Sequence, residues 1–171
     1  MWPIIFVFIA FVIYLIYNGV VIHLFGIPRS LSETYYLYKN KKELLKNLFP
    51  ITMVGLALLL APAWLEITFG NSFQFLAFLA IGSIIFTGAV PTFKNSTMED
   101  KIHSISALFS AICSILWVIF GCRMWFFIPM WLLICVLISV LTKSWNKAKV
   151  FWIETMVFLT TFTSIIAYYF I

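Results

Sequence analysis

The sequence predicts an all-α, polytopic integral membrane protein with six transmembrane helices, both termini outside, and a short interfacial helix after the first span. Three observations carry this reading. Of 171 residues, 64% are hydrophobic and 10% are charged, and mean hydropathy is +1.08. A water-facing surface needs more charge than that, since soluble domains carry roughly 25%. The charges are also clustered, leaving charge-free stretches at 1–28, 47–65, 67–93, 102–122, 124–142 and 155–171. Finally, the basic residues fall almost entirely on one set of alternate loops.

Crossing ~30 Å of hydrocarbon takes about 20 apolar residues at 1.5 Å each. Each charge-free stretch meets that length, and spans are expected at about 2–25, 48–65, 75–91, 102–120, 125–141 and 150–171, forming one transmembrane domain over 1–171. The runs are continuous rather than alternating, which excludes barrel strands. Helices then satisfy their own backbone hydrogen bonds in lipid. The first run lacks a preceding basic residue and a small-residue cleavage motif, so it reads as a span rather than a cleaved signal peptide. Pro50 and Pro129 fall in first helical turns, where proline is tolerated, and Pro62 and Pro91 near helix ends.

Orientation follows from the loops. Arg29, Lys39, Lys41, Lys42, Lys46, Lys94, Lys101, Lys143, Lys147 and Lys149 share one side, and Arg123 alone lies on the other. The positive-inside rule puts the first set in the cytoplasm and both termini in the periplasm. The net charge of +5 is then a property of the cytoplasmic side, with no nucleic-acid partner implied. The Asn95–Thr97 sequon lies on that side too. Cys113, Cys122 and Cys135 form no CxxC pair and read as small packing residues.

The 26–47 connection is the richest polar segment. Ser30-Leu31-Ser32-Glu33 fits a capping box opening a helix from about Leu31 to Tyr38. Tyr35, Tyr36 and Tyr38 suit headgroup depth, and Lys39, Lys41, Lys42 and Lys46 suit anionic headgroups. His23 lies at the cytoplasmic end of the first span and His103 at that end of the fourth. Asp100 and His103, spaced i and i+3, share a helix face. If the first, fourth and sixth helices meet, His23, His103, Asp100 and Glu154 form one polar cluster, joined by Ser30, Glu33, Tyr35 and Tyr36. Helix-dipole effects offer a purely structural account of His23, Asp100 and Glu154.

Asn18 lies deeper in the first span, where an amide is expected to hydrogen-bond a neighbouring helix. Ser106, Ser110 and Ser114, with Ala107 and Ala111 beside them, form a small-residue stripe. Ala80 and Gly88 form another. Both are expected to make close helix–helix interfaces.

Known intramembrane chemistries make specific demands. Gly82-Ser83 has no later histidine to complete a rhomboid-like pair, one aspartate cannot supply a CDP-alcohol transferase motif, and lipid-phosphatase signatures are absent. The Glu99–His103 segment is similar to part of the ceramidase and adiponectin-receptor zinc site, which needs three histidines where this chain has two. The segments Gly26-Ile27-Pro28-Arg29-Ser30-Leu31-Ser32-Glu33-Thr34-Tyr35-Tyr36 and His103–Ala107 resemble uncharacterised six-span proteins of gut bacteria and their phages. That resemblance implies a bacterial inner-membrane location and no activity.

The function expected is non-catalytic binding, transport-accessory or scaffold work at the cytoplasmic face, with no bound cofactor. Its protein partner would be a second copy or another membrane protein. The alternative is a metal-dependent, lipid-directed hydrolase using His23, His103 and Asp100; a third reading is a small-solute permease along the hydroxyl stripes. The orientation is directly testable: alkaline phosphatase fused after Ile171 should be active and after Lys143 inactive, with green fluorescent protein giving the reverse pattern. Activity after Lys143 would invert the topology.

Overall fold

The structure, a computed structural model, describes residues 2–41, 43–91 and 97–171. Lys42, Lys94 and the Asn95-Ser96 part of the sequon lie outside them, and with Lys42 goes one of the expected headgroup contacts. Every regular element among the described residues is helical: α1 Trp2–Phe25, α2 Thr34–Lys41, a 3₁₀ turn Glu43–Asn47, α3 Leu48–Ile67, α4 Gln74–Ala89, α5 Thr97–Leu116 continuing as a π turn Trp117–Gly121, α6 Phe127–Leu141 and α7 Trp145–Phe170.

Four segments are long and apolar enough to cross a membrane: Trp2–Phe25, Leu45–Ile67, Met98–Gly121 and Trp145–Phe170. The two remaining expected spans are helical but short, 16 residues for α4 and 15 for α6. At 1.5 Å per residue they reach about 24 and 22 Å, against ~30 Å of hydrocarbon. Six apolar helices therefore exist, but length and composition mark four of them as spanning. Exposed Ile5, Phe8, Val12 and Ile16 cover the outer face of α1, an apolar surface that water would not tolerate.

Neighbouring helices run α1, α3, α4, α5, α7 and back to α1, while α6 packs outside this ring on α7. Between lipid-bathed helices no hydrophobic driving force favours association, so close backbone approach and van der Waals contact must do so. The α3–α4 interface follows that rule: Ala77, Ala80 and Gly88 of α4 are buried, and a Cβ on Gly88 would stand 3.0 Å from the Met53 Cβ. The far end of the bundle is locked by aromatics. Trp64 and Trp117 meet edge to face at 5.8 Å, and Gly121 leaves room for Thr68 and Trp117 beside it. The three cysteines are buried and unbridged.

Two breaks in helical geometry set the path of the loop after α1 and its seat on α7. Gly26, with φ of +74°, ends α1 in the left-handed conformation that glycine adopts without Cβ cost. In α7, Ala148 has φ −130° and ψ 31°, so the helix kinks there and restarts near Val150, where the sequence places the start of its span.

Close packing at Gly88 yields a clean contrast. Gly88→Val should destabilise the protein by about 1–3 kcal/mol through overpacking. Gly82→Ala, where nothing lies within 4 Å of the new Cβ, should be neutral or stabilising by up to roughly 1 kcal/mol. Thermal unfolding in mild detergent measures both.

Candidate functional site: a cleft under the Arg29 loop

The segment 26–33 crosses from α1 to α2 as a roof over the seam between α5 and α7. Its conformation is set by side chains. The Glu33 N–H donates to Ser30 Oγ at 3.1 Å, as the capping box requires. The Glu33 carboxylate reaches one residue further back and accepts from the Arg29 N–H at 2.7 Å. The turns at 31–33 are i→i+3 bonded, so α2 begins at Thr34 instead of Leu31.

Two further bonds fasten this roof to α7. The Leu31 N–H donates to Glu154 Oε2 at 2.7 Å. The Phe151 N–H donates to the Arg29 carbonyl at 3.0 Å. The second bond exists because of the kink: with Ala148 out of helical geometry, Phe151 gives its N–H to the loop. Both bonds therefore land within one turn of α7.

His103 plays a comparable part on the opposite wall. Val90 precedes Pro91 and is biased out of the α region, so α4 stops and the Val90 carbonyl needs a donor. His103 Nδ1 lies 2.9 Å from it. A carbonyl can only accept, so the proton is on Nδ1. The ring also packs 6.4 Å from that of Phe49, and His103 is only 4% exposed.

Between these walls lies a cleft of about 430 Å³ whose lining includes Arg29, Ser30, Asp100, His103, Ser104 and Glu154. Next to it, sharing Ser32, Ala107, Ala111 and Glu154 as lining, is a smaller chamber of about 50 Å³ bounded also by Phe49, Thr87 and Ser110. The cleft also continues along the α5–α7 seam as a groove of about 320 Å³ with a wholly apolar lining, including Leu108, Ile112, Ile115, Met156 and Val157. Ala111 borders all three spaces. The first and last volumes are in the range of small-molecule sites, about 300–1,000 Å³.

Of the residues expected to cluster, the structure brings Ser30, Asp100, His103 and Glu154 to one cleft. It does not bring His23, which is exposed on α1 and lines none of the three spaces. Among the described residues no three His, Cys, Asp or Glu side chains are grouped to hold a metal ion, so the set His23, His103 and Asp100 is not assembled. Glu33 lines none of the three spaces and accepts from the Arg29 N–H.

Tyr35 and Tyr38, expected at headgroup depth, are 5% and 2% exposed. Tyr38 packs edge to face on Phe25 at 5.2 Å, and burial pushes its phenol pKa up. The Tyr17 hydroxyl hydrogen-bonds Thr34, and Tyr36 is half-buried against the core. So α2 is docked on the bundle by its tyrosines. Lys39 stays exposed, Lys41 lies over the Phe25 ring at 5.6 Å, and Lys46 pairs with Glu43, holding that carboxyl below its usual range. Asn18 donates to the Tyr14 carbonyl of its own helix at 2.9 Å instead of crossing to a neighbour.

Sequence reasoning missed Arg29, Ser32, Ser104, Ala107 and Ala111. The signal was present: Asp100, Ser104, Ala107, Ala111 and Ile115 recur at helical spacing on α5 and grade from polar through small to apolar. The stripe beside it, Ser106, Ser110 and Ser114, drew the reading toward packing. Ser110 and Ser114 are indeed buried. Ala107 and Ala111, in contrast, line open space rather than a closed interface.

Compared with known proteins, the chain matches no family model, curated protein or solved structure.

The roof's dependence on Glu154 can be measured. Glu154→Leu removes the acceptor for the Leu31 N–H, a loss of about 1–3 kcal/mol for a buried donor left unsatisfied. Trypsin should then cut after Arg29 at least tenfold faster, while Glu154→Gln, which keeps an acceptor, should stay closer to the parent rate.

Proposed function

We propose that this is a bacterial inner-membrane protein of six crossings, both termini periplasmic, which binds a membrane amphiphile at its cytoplasmic side without transforming it. The ligand's polar end sits under the Arg29 loop and its hydrocarbon chain lies along the α5–α7 seam. Ten basic residues on one set of loops support the orientation, and the short α4 is flanked by the longer α3 and α5.

The observation that carries the binding role is the continuity of the cleft. The cleft that carries Arg29, Asp100 and Glu154 shares Leu108, Ala111 and Ile153 with a groove lined only by apolar side chains, so charged groups gather at one end of a largely apolar channel, as they do at one end of an amphiphile. Along α5 the stretch from Asp100 to Ile115 spans about 22 Å at 1.5 Å per residue. That exceeds the depth of one leaflet, about half of a ~30 Å core. The groove opens sideways, where a lipid can enter without leaving the bilayer.

Blocking the junction tests this. In nanodiscs containing a phospholipid with a photoactivatable group in its acyl chain, peptides from α5 and α7 around the seam should be labelled above the level of exposed α6. Ala111→Phe should lower seam labelling about fivefold or more and leave α6 labelling unchanged. Equal labelling of seam and α6, unaffected by the substitution, would reject the site.

A further inference from the structure

Resting on that reading, we infer that the amphiphile is a phospholipid whose headgroup carries both a phosphodiester and a primary ammonium, as an ethanolamine head does. The inference comes from the charges that face the chamber. Arg29 stands at its roof, with Asp100 on α5 and Glu154 on α7. Arg29 and Asp100 are exposed. Among the described residues the lysine or arginine held in an ion pair is Lys46, with Glu43 away from the cleft, so neither carboxyl is paired with a described lysine or arginine.

A planar guanidinium is suited to two phosphate oxygens at once. The exposed Asp100 carboxylate calls for a cation, and a phosphate with no cation of its own would meet a like charge there. An aminophosphate head resolves this by placing its phosphate at Arg29 and its ammonium toward Asp100, with the Glu154 carboxyl as a further acceptor. Three hydroxyls, on Ser30, Ser32 and Ser104, line the same cleft. Glu154 keeps Oε2 on the Leu31 N–H, which fixes the carboxylate beneath the roof.

The same lining separates a primary from a quaternary ammonium. A choline head has no N–H and is held by aromatic faces. Apart from the His103 imidazole, which is engaged with Val90, the described lining of the cleft beside Arg29 and Asp100 holds no aromatic ring; Phe49 and Phe158 lie around the small adjoining chamber. A primary ammonium brings three donors to a wall of carboxylates and hydroxyls.

The test uses the full chain in nanodiscs with three photoactivatable phospholipids of identical acyl chains and ethanolamine, choline or glycerol heads. The ethanolamine probe should label the seam about tenfold more than the other two, the effect of a charge-assisted contact. Asp100→Asn should bring ethanolamine labelling down to the choline level without lowering choline labelling. Arg29→Gln should lower the labelling of all three. Equal seam labelling by all three heads in the unsubstituted protein, above the α6 level and sensitive to Ala111→Phe, would overturn the headgroup assignment and leave the amphiphile site standing. Absence of seam labelling by any probe would overturn both. The headgroup comparison needs no substitution, so a variant that fails to fold does not decide the outcome.

Discussion

A helix that ends away from water must find partners for its last carbonyls and first amides within the protein. Much of this structure follows from how three such ends are met. The Val90 carbonyl at the end of α4 accepts a hydrogen bond from His103 of α5. The amide that α7 frees at its kink goes to the Arg29 carbonyl. The amide of Leu31, where the chain turns into α2, goes to the Glu154 carboxylate. Each bond joins separate elements, and the three together frame one cleft. The polar residues at this end of the bundle are therefore structural and site-forming at once, with Glu154 serving as anchor and wall.

The class and the first helix were legible because they depend on quantities that a sequence states directly. Charge-free length gave α1 its observed ends, and the Ser30–Glu33 spacing announced the cap. The short helices were less legible, because absence of charge from 67 to 93 and from 124 to 142 measures where a span could run, not where the backbone turns. Loop residues 68–73 and the stretch after the π turn carry little charge either, and consume length that a hydropathy argument assigns to the helix.

The site was half legible. Asp100, His103 and Glu154 could be placed on one side of the membrane from charge pattern alone, but their rotation about each helix axis could not. That rotation separates His23, turned outward, from His103, turned in. It likewise decides whether an alanine closes an interface or opens a groove. At Gly88 a small residue admits a neighbouring backbone, whereas at Ala111 nothing fills the gap. Small residues are read as packing because close approach is their commonest use in membranes, and only the placement of α7 distinguishes the two cases.

The kink at Ala148 has a further consequence. The Trp152 indole N–H reaches back across it to Ser144 Oγ at 2.9 Å, and Ser144 in turn meets the Thr142 hydroxyl at 2.7 Å. This strut braces the bend from both sides, so α7 has a fixed elbow rather than a hinge. The roof anchored one turn beyond inherits that rigidity. A seat set in advance needs little rearrangement to be filled, and so loses little conformational freedom when its occupant arrives.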